Sequence, residues 1–107
     1  MDDVVILYTT WPDLETAQAA GAAAVEARLA ACANLLGPIT SIYRWEGEVR
    51  REAETTMLLK TTRAGARPLR DWLLERHPYD IPCILQLAVE MAGSNPAFLG
   101  WIGEEIT

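Results

Sequence analysis

The sequence predicts an α+β fold: a ferredoxin-like α/β sandwich in the order β-α-β-β-α-β with a C-terminal helix, as a single domain over residues 1–107. Three features point there. A continuous apolar run opens the chain, a long alternating segment fills its centre, and helical periodicity separates the strands. Two β-α-β crossovers sharing one antiparallel sheet produce this sandwich.

Val4 to Tyr8 is an unbroken run of strand formers, as expected of a central strand buried on both faces. Trp11-Pro12-Asp13 interrupts it, and Asp13 is placed to cap a helix. Leu14, Ala17, Gly21, Val25, Arg28, Leu29 and Cys32 recur at three- and four-residue steps, which predicts a helix of roughly five turns. Cys32 then falls at its end or in the junction to the next strand. From Ala33 to Thr62 the period becomes two. Ile39, Ser41, Tyr43 and Trp45 share one face, and Thr40, Ile42 and Arg44 the other. The pattern resumes after Glu46-Gly47, so a hairpin turns near Gly47. Gly37-Pro38 within its first arm implies a bulge or an edge. A second helix fits Ala64 to His77. His77-Pro78-Tyr79-Asp80-Ile81-Pro82 must be extended or turned, because of its two prolines. Ile84 to Val89 is the fourth strand, and Ser94-Asn95-Pro96 starts the last helix.

Composition excludes some functions. The charged fraction of 22% and hydrophobic fraction of 50% are those of a folded domain. A net charge of −6 lacks the basic surface that nucleic acid or an anionic membrane requires, so neither is an expected partner. Apolar stretches such as Ala19 to Val25 are too short to span a bilayer. The acidic Met1-Asp2-Asp3 lacks the positive start of a secretory signal, and two cysteines do not make a secreted disulfide framework. The expected location is cytoplasmic, with reduced thiols.

The hairpin is long for its domain. Arms of about 14 residues span roughly 45 Å, against a diameter of roughly 35 Å for a chain of this length. Its tip must protrude or bend, leaving Ile42, Tyr43, Trp45 and Val49 in water. Packing on a neighbouring subunit removes that problem, so a homo-oligomer is expected.

Several side chains carry possible chemistry. By spacing alone, Cys32 is a small residue closing helix against sheet, and its thiolate would also suit a soft metal such as Cu(I). His77 is the only histidine. It stands evenly between a ligand or base and a helix-end residue at the dipole. Lys60 is the only lysine, either solvent-facing or a partly buried anion contact. Tyr43, Trp45 and Tyr79 are packing anchors first, Glu46 beside them can accept a hydrogen bond, and Trp101 is core packing. Glu52 and Glu54 form a solvated stripe.

Five segments together resemble the CutA divalent-cation tolerance family. They are Arg28-Leu29-Ala30-Ala31-Cys32-Ala33-Asn34, Ser41-Ile42-Tyr43-Arg44-Trp45-Glu46-Gly47-Glu48, Leu59-Lys60-Thr61-Thr62, His77-Pro78-Tyr79-Asp80-Ile81-Pro82 and Phe98-Leu99-Gly100-Trp101-Ile102. The resemblance implies a homotrimer with hairpins intertwined between neighbours, an architecture similar to the PII signalling proteins. It implies tolerance to copper or another divalent metal ion, with metal ions as partners and no catalytic reaction. It draws Cys32, Tyr43, Trp45, Glu46, Lys60 and Tyr79 into an intersubunit cleft. Some relatives have a cysteine where Tyr8 stands and a second histidine where Arg76 stands, both regarded as copper ligands. Here His77 remains, and Cys83 replaces the glutamate usual after the second proline, making His77 and Cys83 a candidate soft-metal pair. The alternative is a PII-like sensor binding a small anionic metabolite at Lys60.

Overall fold

The computed structural model describes residues 2–107; Met1, the first residue of the acidic N-terminal triplet, lies outside the described residues. The elements are β1 (Val4–Trp11), α1 (Leu14–Glu26), β2 (Cys32–Trp45), β3 (Glu48–Thr62), α2 (Arg63–Arg76), β4 (Ile84–Ala88) and α3 (Pro96–Glu105), with a 3-10 turn at Met91–Gly93. All strands pair antiparallel in the order β2-β3-β1-β4. This is the sandwich expected from the element order.

Alternation divides the sheet into two faces. Val5, Leu7, Trp11, Met57 and Leu59 are buried under α1 and α2 with Ala17, Ala24, Leu69 and Leu73. On the opposite face, among the described residues, only one end is covered. There Leu99 and Ile102 of α3 pack on Val4 and Ala31. The rest of that face presents Leu36, Leu85 and Leu87, which are 55%, 57% and 43% exposed. Half-buried Ile6, Tyr8 and Leu58 lie between them.

The hairpin follows expectation. Glu46 and Gly47 have φ of 50° and 80°, so both central residues of the two-residue turn are left-handed, which matches strand twist. Between Leu36 and Ile39 the register shifts: Gly37 and Pro38 on β2 face the single Thr55 on β3. The Gly37–Pro38 peptide is cis. The extra residue inverts the alternation of β2. Cys32, Asn34 and Leu36 before it therefore share a face with Ile39, Ser41, Tyr43 and Trp45 after it. The molecule measures 45 × 27 × 21 Å, its long axis equal to the hairpin length expected from residue count.

Four expectations need correction. The first helix stops at Glu26, well short of five turns. Arg28 adopts φ of 61°, its N–H donates to the Val25 carbonyl, and the Leu29 N–H reaches the Ala24 carbonyl. This six-to-one closure ends a helix, usually with glycine at the left-handed position. With arginine there, the stop signal is invisible in the sequence, and Arg28, Leu29 and Cys32 only continue the period by coincidence. β1 includes Trp11, the residue expected to interrupt it, and α2 covers Arg63–Arg76 rather than Ala64–His77, capped by Thr62, with His77 as its C-cap. Trp101 is not core within one chain: it is 38% exposed, its ring tilted against Phe98 at 5.5 Å.

Candidate functional site

The sequence-selected residues all bear on one sheet face or on the loop at its margin, but one chain gathers them into separate groups. Cys32 opens β2 and pairs with Lys60 of β3. The Lys60 ammonium donates to Asn34 Oδ1 at 2.8 Å and sits 5.4 Å from the Phe98 ring centre. The Lys60 residue is half-buried, and its bond to Asn34 lies at the exposed surface of the strand pair. Trp45 and Glu46 lie at the hairpin tip, where Glu46 is held left-handed by the turn.

A second group lies midway along the hairpin. The Tyr79 hydroxyl donates to Glu54 Oε2 at 2.8 Å, and the Tyr43 hydroxyl to Glu52 Oε1 at 2.7 Å. Glu52 stays exposed, as the solvated stripe predicts, while Glu54 departs from it, half-buried beneath the Tyr79 hydroxyl. Burial pushes the Tyr79 phenol far up, with the Glu54 carboxylate reinforcing it. The Tyr43 phenol is also raised, chiefly by its bond to Glu52. Both remain protonated donors at neutral pH. Six residues of β3 separate Lys60 from Glu54, about 20 Å of strand. A single chain therefore does not close one cleft around Cys32, Lys60 and the tyrosines.

His77 is the most enclosed polar side chain of the loop, 8% exposed. Its Nε2 lies 2.8 Å from the Thr10 carbonyl oxygen, and its Nδ1 accepts the Tyr79 N–H at 3.1 Å. The ring stacks on Trp11 at 4.1 Å and 28°, and meets Tyr79 at 4.8 Å and 47°. Burial holds its pKa below the usual value, against the opposite pull of the Thr10 carbonyl and Glu54. Behind it runs a buried chain: Trp11 Nε1 donates to Thr9 Oγ1 at 2.7 Å, which donates to the Met57 carbonyl at 2.8 Å. Sequence reasoning missed Thr9 and Thr10, because hydroxyls inside an apolar strand carry no pattern of their own.

Cys83 is half-buried and unbridged, as is Cys32. Burial pushes its thiol up, opposed by the neighbouring Thr10 hydroxyl. A soft metal needs a thiolate and a free imidazole lone pair. In this chain burial favours the protonated thiol, and both imidazole nitrogens are engaged in hydrogen bonds. Among the described residues, no three His, Cys, Asp or Glu side chains come together as a metal cluster. Tyr8 and Arg76 add no ligand; the Arg76 guanidinium stacks on Trp72 at 4.1 Å, on the helix side of the sheet. The donors of one chain therefore do not fit a soft-metal pair at His77 and Cys83.

Residues 5–105 match the model of the CutA1 divalent ion tolerance protein family. The chain is 40% identical over 104 residues to the divalent-cation tolerance protein CutA of Thermus thermophilus, covering 97% of each. It superimposes on the crystal structure of CutA1 from Oryza sativa with a TM-score of 0.93 at 28% identity, covering 99% of this chain and 95% of that one. The CutA of Archaeoglobus fulgidus, described as a periplasmic divalent cation tolerance protein, matches with a TM-score of 0.91 at 34% identity, covering 97% and 99%. These relatives favour cation tolerance over an anionic-metabolite sensor.

Proposed function

The chain belongs to the CutA1 divalent ion tolerance family, and on that premise we propose that it acts as a homotrimer in the response to divalent cations, as a binding or regulatory protein rather than an enzyme. One observation carries the assembly: the sheet face that α3 leaves open is lined by leucines and aromatics. Apolar patches of this kind on a small chain mark an interface. The hairpin adds Ile42 and Val49, 62% and 53% exposed, which a neighbour would cover.

In the proposed trimer, Cys32, Tyr43, Trp45, Glu46, Lys60 and Tyr79 line clefts completed by an adjacent subunit. Copper or another divalent metal ion is the proposed ligand, taken by donors from more than one chain. The proposed compartment is cytoplasmic, supported by two unbridged cysteines. No helix among the described residues is long and apolar enough to cross a membrane.

Light scattering at micromolar concentration tests the assembly, with an expected mass three times the chain's 11.8 kDa. A monomeric mass refutes it. Thermal shift with Cu2+, Zn2+ and anionic metabolites tests the ligand class. A ligand at about 100 times its Kd stabilises by about 2.7 kcal/mol; a response to metabolites alone refutes cation binding.

A further inference from the structure

We infer that His77 is a positioning residue, locked as the neutral imidazole with its proton on Nε2, that sets the 77–83 loop so that Tyr79 meets Glu54, and that it is not a cation ligand of this protein. The inference goes beyond the tolerance reading and is read within one chain, so failure of the trimer leaves it standing.

Two hydrogen bonds select one tautomer. A backbone N–H can only donate, so Nδ1 must offer its lone pair to Tyr79. A carbonyl can only accept, so Nε2 must carry the proton toward Thr10. The imidazolium would lose the Tyr79 bond, and the other tautomer would lose both. Rotating the ring to expose either nitrogen would also break its stack between Trp11 and Tyr79. With the residue 8% exposed and both ring nitrogens engaged, a cation has no free lone pair to approach.

The loop depends on this ring because its own backbone can do little. Pro78 and Pro82 carry no N–H. Where α2 ends, the His77 N–H closes the last turn on the Leu73 carbonyl at 2.8 Å. The next available donor, the Tyr79 N–H, is held by the imidazole in the manner of an Asx turn, side-chain acceptor to the N–H two residues on. That bond directs Tyr79 across the sheet margin to Glu54 Oε2.

The experiment uses the whole chain, its single histidine giving one set of imidazole 15N signals. Long-range 1H–15N spectra are recorded without metal and with Zn2+ alone as a diamagnetic probe. We expect the Nε2–H tautomer, with signals unmoved by Zn2+. The Nδ1–H tautomer, or ring signals that shift or broaden with Zn2+, overturns the inference. Hydrogen exchange of the Tyr79 amide tests positioning. His77→Ala should accelerate it about tenfold, the equivalent of one hydrogen bond. His77→Asn should restore protection, because the Asn carbonyl can accept the same N–H. A residue that only filled space would not be rescued by the smaller polar side chain. Unchanged exchange in the Ala variant, or an Asn variant that exchanges as fast as Ala, overturns the positioning role. If the Ala variant does not fold, exchange in the Asn variant against wild type and the Zn2+ spectra still decide it.

Discussion

If the proposed trimer forms through the open sheet face, Leu85→Asp should dissociate it to monomers without unfolding the chain. Leu85 lies in β4 opposite Tyr8, 57% exposed and outside both core clusters. Fully burying a leucine stabilises by about 1.5–3 kcal/mol, so burying the exposed half of Leu36, Leu85 or Leu87 is worth about 1 kcal/mol each. In the proposed trimer the three would contribute about 3 kcal/mol per chain and about 9 kcal/mol per trimer. Leu85→Asp removes about 1 kcal/mol of this from each chain. It also desolvates a carboxylate, at several kcal/mol per ion. With three copies, the total exceeds about 6 kcal/mol, or about four decades in association at 1.4 kcal/mol per decade. Light scattering at micromolar concentration should then give 11.8 kDa instead of three times that mass, while far-UV circular dichroism stays native. The control is Leu74→Asp on α2, a similar change at a leucine 48% exposed on the helix layer, which should leave the mass unaltered. A Leu85→Asp protein that keeps the trimer mass would refute the assignment of this face. Equal dissociation by both variants would refute the reasoning that burial of this face drives assembly.

Thr9→Val should cost about 1–3 kcal/mol in urea unfolding, because it keeps the shape but leaves the buried Trp11 indole N–H without an acceptor; a loss below about 0.5 kcal/mol would exclude that chain as a stabilising element. His77 makes stability depend on pH. Its folded pKa lies below the ordinary 6.5, so the unfolded chain binds more protons between the two values and stability rises with pH there. The contribution is fully present above 6.5 and is lost as pH falls through the folded pKa. Urea midpoints should show that decline in the wild type and a flatter profile in His77→Asn; parallel profiles would assign the decline to other groups.

Element order, strand type, the hairpin turn and the bulge were all legible in the sequence, because each rests on local chemistry. Alternation marks the strands, Glu46-Gly47 supplies the left-handed turn, and Gly37-Pro38 cannot continue a ladder. Asp13 and Asn95 cap the helices that follow them, as their side chains dictate. The end of α1 was hidden, because Arg28 takes a position normally flagged by glycine and is held there by Glu104 and Glu105 near the far end of the chain.

The order of apolar and alternating segments specifies the sandwich and supplies the residues able to do chemistry. What those residues are free to do follows from the neighbours that folding brings to them. His77 and Cys83 resembled a ligand pair because both are metal-binding types six positions apart. Folding instead spends both imidazole nitrogens on Thr10 and Tyr79. Glu54 resembled a solvated charge, and folding half-buries it as the acceptor of the Tyr79 phenol, while Glu52 stays exposed as expected. An imidazole nitrogen is a ligand only while its lone pair is free. Here the Nδ1 lone pair is taken by the Tyr79 N–H two residues on, and the tautomer that puts it there is fixed by the Thr10 carbonyl 67 residues away.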